Sequence, residues 1–447
     1  MQGTRFASLF GCALLPISIM AQQPAIAPLT GPLSRPLGRP LGRPLAARVT
    51  AGDTLTLSDA LLEARAANAQ LPIAALGVDI ARTAVTEGRA SRFPRVSVES
   101  GLNLGGPLAY TTSQGSLQLV AMDTLFAGGL RRANIRAARY RVVGAGAGLR
   151  IAQKDVDLEV RLRYSDFLRA QSEILFRQQG LERLRSYLTQ VQQRRAAGQP
   201  VGGDVLTTQV RIGSEEAQLA DANRALAEAR LQLNDLLGRV PDSPLSVAPL
   251  PEPAPPPAPA SGSWIVAPEV RQAEANSAAA QAGISATRAE HRPQLGAGAT
   301  LGVLPVFGHD QGTGPNNGTG VGGAVFLSLS VPLLDGGVYR ARLDRAQLQA
   351  QQARDSQVVV ERQVRLSYQL AYTQLLSLYQ QVDTWSRNVP TARDAYLQTQ
   401  SIYNGGAATA LEVLDAYTSW INANQSYADA VLRYRQAEAN YLRWGTP

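Results

Sequence analysis

The chain has 447 residues, with 43 lysine or arginine against 35 aspartate or glutamate side chains, a formal charge of +8 and a single cysteine. That length could hold two or three ordinary domains. Cys12 lies inside an export signal, so the mature chain has neither a disulfide framework nor thiol chemistry. His291 and His309 are the only histidines and Met122 the only methionine left after export, which argues against enzymatic catalysis, cofactor use and soft-metal handling.

Residues 1–21 read as a signal peptide: Arg5, an apolar stretch from Phe6 to Met20, then Ala21 before Gln22 and Gln23. The stretch is too short for a membrane helix, and no other run reaches the roughly 18 apolar residues required. Residues 22–52 form a Pro/Arg-rich arm in which Pro-Leu-X-Arg recurs at Pro32, Pro36 and Pro40. Proline every fourth residue prevents helix and sheet pairing, so this is an extended spacer or a contact for anionic lipid or cell-wall polymer. Arg5 and the arm's Arg35, Arg39, Arg43 and Arg48 leave 38 basic (43 less these five) against 35 acidic side chains from Asp53 onward. That near balance gives nucleic-acid binding no basis.

From residue 53 to 240 the pattern runs helix, two strands, a very long helix, a turn and a returning helix. A helix is expected over Leu57 to Ala90, and alternation at Val96, Val98, Leu102 and Leu104, then at Leu117, Leu119 and Ala121, marks the strands. A long helix follows from near Leu130, with Val160, Phe167, Ile174, Leu181 and Leu188 every seven residues; Gly144, Gly146 and Gly148 are points at which it could break. The turn around Gly198 leads to a returning helix, Asp204 to Leu237, with a stripe of Ile212, Leu219, Leu226 and Leu233. Residues 241–263 are a proline-rich linker.

Residues 264–447 then repeat the order. A helix over Glu269 to Glu290 precedes a strand at Leu295 to Val303 and another at Val325 to Val331. From Gly337 to Tyr403 two interleaved heptad series run without a glycine, Val364, Ala371, Leu378, Trp385 and Ala392 beside Tyr368, Leu375, Val382, Val389, Tyr396 and Tyr403. That is a sustained coiled-coil seam. The chain returns over Ala410 to Trp444 with Trp420, Tyr427, Tyr434 and Tyr441, a stripe read as packing. The duplication is visible in the residues themselves: Val160-Arg161-Leu162-Arg163-Tyr164 matches Val364-Arg365-Leu366-Ser367-Tyr368, 204 positions later. Each half is therefore one structural unit packed beside its twin.

Sixty-seven residues of helix, Gly337 to Tyr403, span on the order of 100 Å, which suits a structure crossing a wide compartment. Four strands of about ten residues fit a tilted outer-membrane wall, but they cannot close by themselves, and an open edge is not viable in lipid. The expectation is a mainly α fold with a small β portion. Long antiparallel coiled-coil helices would cross that compartment, and three copies would close a 12-stranded trimeric β-barrel.

The strand-to-helix signatures Leu125-Phe126-Ala127-Gly128-Gly129 and Pro332-Leu333-Leu334-Asp335-Gly336-Gly337, with the turn from Tyr403 to Ala416, make the chain resemble the TolC-type outer-membrane efflux family over about residues 53–445. The resemblance implies a homotrimer in the outer membrane whose helical tunnel extends into the periplasm. It also implies a periplasmic membrane-fusion adaptor and an inner-membrane transporter, proton-driven or ATP-driven, as partners. The chain would be the passive exit duct of a tripartite efflux or secretion system. Protein export of the type I kind and a non-conducting periplasmic coiled-coil scaffold are the alternatives.

Two sets of site residues follow. Leu411 and Asp415 lie four apart on one helix face and match the positions where the family places a constriction, so three Asp415 carboxylates would form a cation-favouring ring. The plainer reading of Asp415 is a solvated acid near a helix start, as Glu412 and Asp204 are taken to be. Gly198, Gly405 and Gly406 are expected to supply positive backbone angles in the two helical turns, and the resemblance adds adaptor docking there.

Overall fold

The structure is a computed structural model that describes residues 54–105, 112–198, 203–259, 262–310 and 314–445. The expected signal peptide and arm lie outside the described residues. In chain order the elements are α1 (Leu57–Ala67), α2 (Gln70–Ala90), β1 (Arg95–Gly105), β2 (Thr112–Ala127), α3 (Leu130–Ala196) and α4 (Asp204–Leu236). After the linker and a 3-10 turn, Ser263–Val266, come α5 (Pro268–Glu290), β3 (Gln294–Asp310), β4 (Gly314–Ser330), α6 (Val338–Asn404) and α7 (Ala410–Gly445). The sequence expectation of one helix over 57–90 is corrected to two. Asn68 turns to extended backbone, and its side-chain Oδ1 accepts from the Gln70 N–H at 2.8 Å, which ends α1 and opens α2.

α3 and α6 are each 67 residues long and unbroken. Gly144 and Gly148 do not interrupt α3; they let α5 approach. A Cβ at Gly144 would stand 3.3 Å from Asn276 Oδ1, and one at Gly148 would stand 3.1 Å from Gln272 Nε2. Pro390 sits inside α6, and between the buried Val382 and Tyr396 the seam positions Trp385, Val389 and Ala392 are only half-buried. On α4 the buried heptad is Thr208, Glu215, Ala222 and Ala229, one position round from most of the expected leucine stripe. Small side chains bring α4 close to α3, and Glu215 is buried because Arg177 meets it at 3.0 Å while also reaching Glu173 at 2.7 Å.

The helices form a single-layer array. α2 packs on α3, α3 on α5 and α5 on α6 in the half next to the strands; α4 packs on α3, α3 on α7 and α7 on α6 in the other half. The array therefore has one edge made by α2 and α4 and another made by α6. Both edges are apolar and exposed. Ile73, Leu76 and Ile80 recur along α2, Leu206 and Val210 along α4, and Leu348, Val359, Leu366 and Leu370 along one face of α6.

The strands make one antiparallel sheet in the order β1-β2-β3-β4. Register pairs Val98 with Leu119, Leu119 with Leu301, and Ala299 with Val325. One face thus collects Val96, Val98, Leu117, Leu119, Leu301, Val325, Leu327 and Leu329, which are exposed. The other carries Ser97, Glu99, Gln118, Thr300, Ser328 and Ser330, with Gly298 covered by the ring of Phe326. Apolar outside and polar inside is the pattern of a membrane barrel wall. Among the described residues no helix is long and apolar enough to cross a membrane.

The linker is strapped to the helices. Leu55 pairs with Val247 in a parallel bridge, and the buried Tyr164 hydroxyl donates to the carbonyls of Leu55 (3.0 Å) and Ala248 (2.7 Å). Burial pushes that phenol up to about 12. Tyr434 donates to Ala254 O at 2.6 Å, and Arg435 to Pro251 O. Tyr164→Phe leaves the Ala248 carbonyl without this donor, at a cost of about 1–3 kcal/mol. Limited proteolysis should then cut within 241–259 faster than in the wild type; an unchanged cleavage rate would show that the strap does not depend on this hydroxyl.

Candidate functional site

The far ends of the two helical pairs are built by different caps. After α6, the Gly406 N–H donates to Tyr403 O at 3.0 Å and the Ala407 N–H to Ile402 O at 3.1 Å. This doubly closed ending requires a left-handed residue at Gly406, which has φ +80°. Gly198 ends α3 with the same φ of +80° and donates to Arg195 O at 3.1 Å. Gly405 is corrected: its φ is −79°, an ordinary right-handed value, so only Gly198 and Gly406 of the expected three need glycine's freedom. Gly405 simply continues the helix by one residue before the chain reverses.

α7 opens with a reciprocal cap. The Thr409 N–H donates to Glu412 Oε2 at 2.6 Å, and the Glu412 N–H donates to Thr409 Oγ1 at 3.3 Å. The Thr409 hydrogen bonds hold the Glu412 carboxyl below its usual range. Glu412 is thus occupied at the helix start. Leu411 and Asp415 point away from the core, and both are exposed, while Val413, Leu414 and Tyr417 on the other side are buried. The spacing places Leu411 and Asp415 together on one free face.

Behind that face lies an aromatic core that joins the two pairs. Tyr396 stacks on Trp420 at 5.7 Å, Tyr417 meets Tyr396 edge-on at 5.6 Å, and Tyr187 tilts against Tyr403 at 5.9 Å. Two arginines cover it: the Arg183 guanidinium is 4.1 Å from the Trp420 ring and that of Arg194 is 4.2 Å from the Tyr403 ring. Arg194 also donates to Asn404 Oδ1 at 3.2 Å, so the two turns stand side by side. Gly180 makes room for Tyr417; a Cβ there would come within 2.7 Å of its hydroxyl. The heptads contain Tyr396, Tyr403 and Trp420 but not Tyr187 or Tyr417, and they miss Arg183, Arg194 and Gly180, because charge and small size carry no period. A glycine inside a long helix was the available signal.

A sequence profile of the family described as Outer membrane efflux protein matches residues 60–239 and 266–443. The chain belongs to that family. Outer membrane efflux protein BepC of Brucella suis is 24% identical over 373 residues, covering 81% of this chain and 78% of BepC. Protein CyaE of Bordetella pertussis is 26% identical over 355 residues, covering 76% and 73%. The fold is that of the solved structure of CusC, with a TM-score of 0.77, 20% identity, and 88% of this chain and 92% of that one covered. Family and fold are those of channel proteins rather than of enzymes. This outer membrane efflux protein is placed in the outer membrane by its four strands, with its helices extending into the periplasm as an exit duct.

Proposed function

We propose that three copies of the chain close into one conduit, which passes cargo from a periplasmic membrane-fusion adaptor and an inner-membrane transporter to the exterior. The observation that carries this reading is the pair of open edges. Among the described residues β1 and β4 each leave one side of the sheet unpaired, and an unpaired strand in lipid costs several kcal/mol for each backbone group. The apolar stripes of α2 and α4 on one edge, and of α6 on the other, continue those strand edges into the helical part. Four strands from each of three copies supply twelve, within the size range of closed barrels. In that assembly the turns at Gly198, Gly405 and Gly406 form the adaptor-docking tips, while Leu411 and Asp415 line a gate. The names of BepC and CyaE do not select a cargo, so small-molecule efflux and type I protein secretion both fit.

Mass measurement of the full chain in mild detergent should show three copies. Val359→Glu places a charge on the α6 edge and should shift the population toward monomer at unchanged secondary structure. A wild-type chain that is stable as a monomer would overturn the closed-barrel reading.

A further inference from the structure

Charge along the folded body is unevenly placed. Four short stretches flank the strand ends: 87–95, 127–141, 286–294 and 331–345. They carry thirteen arginines (3, 5, 2 and 3 in turn) against four acids (1, 0, 1 and 2), a net of +9. The whole body from Asp53 onward is +3 (38 less 35), so the remainder is −6. The belt sits where the membrane wall becomes the tunnel, beside the exposed Phe93, Leu125, Phe126, Leu333 and Leu334.

The arginines of α3 break a local rule. A helix N-terminus is the positive end of the helix dipole and favours acids. α6 observes this through Asp335 just before it, whose carboxylate accepts from the Gly337 N–H at 3.1 Å and the Tyr339 N–H at 2.7 Å. α3 has no acid in its first turn and no capping side chain, yet it begins with Arg131, Arg132, Arg136 and Arg139. Among the described residues Arg132, Arg136 and Arg139 are exposed and have no hydrogen-bond or ion-pair partner. Like charges gathered at an unfavourable dipole end do not serve the protomer's stability.

Their direction follows from the packing. At about 100° per residue, Arg132, Arg136, Arg139 and Arg150 fall within about 40° of one direction. Ile135 meets α2 at Gly88 on one side of them, and Gly144 and Gly148 meet α5 on the other. The arginines occupy the wider of the two gaps left between those neighbours, by about 200° to 160°, and in a closed ring of helices the wider gap is the outer one. Asp157, seven residues beyond Arg150, is held by Arg65 of α1 on the same side. Three copies of α1 and its linker strap would fill the tunnel if they lay inside it.

We propose that this outer belt, led by Arg132, Arg136 and Arg139, binds the phosphate headgroups of anionic phospholipid in the periplasmic leaflet. Side chains on a helix tilt toward its N-terminus, and the N-termini of α3 and α6 are their membrane ends. The headgroup zone adds about 5–8 Å beyond the hydrocarbon on each side, and by helical rise Arg132 to Arg139 lie about 3–14 Å below the start of α3. The long arginine stems close the remaining distance by reaching upward. The outward direction rests on the closed-ring reading above.

Native mass spectrometry of the full chain in mild detergent, with added phosphatidylglycerol or phosphatidylcholine, reads lipid binding and copy number in one spectrum. The expected result is preferential retention of phosphatidylglycerol by the trimer. Each arginine near such a surface is worth about fivefold in affinity, so the triple variant R132Q/R136Q/R139Q should weaken phosphatidylglycerol binding by about a hundredfold at low salt while remaining a trimer. Removing Arg224, Arg387 and Arg393, far from the belt, should leave the preference intact. If the belt variant does not assemble, the wild type decides, since its preference must fall steeply as salt rises. A trimer without phosphatidylglycerol preference, or with one that the belt variant or salt leaves unchanged, overturns the lipid assignment. So does equal competition by a soluble anionic glycan. A wild-type monomer would instead refute the closed ring.

Discussion

Alanine at Gly128 should remove most of the protein from the outer membrane, whereas alanine at Gly336 should leave it near the wild-type level. The two glycines end the strand-to-helix signatures of the two halves and have similar backbones, with φ +59° and +64°. Placing any Cβ in that left-handed region costs about 1–2 kcal/mol at both sites. The surroundings differ. A Cβ at Gly128 would lie 2.5 Å from Arg292 Cβ and 2.8 Å from the backbone oxygen of Ala289, whereas at Gly336 it meets nothing within 4 Å among the described residues. Neither atom near Gly128 is the loose end of a side chain, so the α5–β3 turn must move. Arg292 would then lose its 3.1 Å bond to Gly128 O. Overpacking of this kind adds about 1–3 kcal/mol, for a total of about 2–5 kcal/mol against a stability that is itself only about 5–15 kcal/mol. The readout is heat-modifiable protein in outer-membrane fractions: about 2–5 kcal/mol lowers the folded-to-unfolded ratio about 30-fold or more, against about 5- to 30-fold for Gly336→Ala, since about 1.4 kcal/mol is tenfold. Equal levels of the two variants would mean that the signatures are interchangeable and that the Arg292 contact is not limiting.

That asymmetry shows what a duplicated sequence can and cannot disclose. Periodicity is a property of the chain alone, so the heptads of α6, the alternation of β2 and β4 and the paired Gly-Gly exits were all legible, and with them the architecture. Partner-dependent features were not. Tyr164 and Tyr368 occupy matching places in the repeat, yet Tyr164 ties down the linker while Tyr368 stacks on Tyr441 at 5.5 Å. The break at Asn68 was hidden because a short polar side chain that bonds its own backbone carries no hydrophobic period. Thr208, Glu215, Ala222 and Ala229 form the buried heptad of α4, though a search for leucines passes over them. Gly405 and Gly406 look alike on paper, and only the hydrogen bonds of Ala407 and Gly406 decide which of them must be left-handed. At the tips, spacing alone placed Leu411 and Asp415 on one face, but a face becomes a gate only when symmetry brings three of them together.

Asp415→Ala should raise single-channel conductance in planar bilayers and weaken cation preference. The motivation is the division of labour at the start of α7. Glu412, three residues earlier, is committed to the Thr409 cap, while Asp415 is exposed and, among the described residues, has no hydrogen-bond or ion-pair partner. Leu411, 62% exposed one turn before it, is a large apolar side chain left uncovered at the end of a helix whose inner side is otherwise packed. In a threefold assembly with this face toward the axis, the leucines would narrow the passage and the carboxylates would make it negative. A ring of fixed negative charge favours cations and resists anions. Removing it should therefore bring the cation-to-anion permeability ratio toward one, while Leu411→Ala should widen the passage and keep the charge preference. Trivalent cations applied from the periplasmic side should block the wild type and lose potency on Asp415→Ala. Glu412→Gln is the matched control: it also removes a carboxylate near the start of α7, but one engaged in capping, so it should reduce tip stability without changing selectivity. If Asp415→Ala and Glu412→Gln shift selectivity equally, the effect is general surface charge, and the constriction belongs on the long helices before Tyr403.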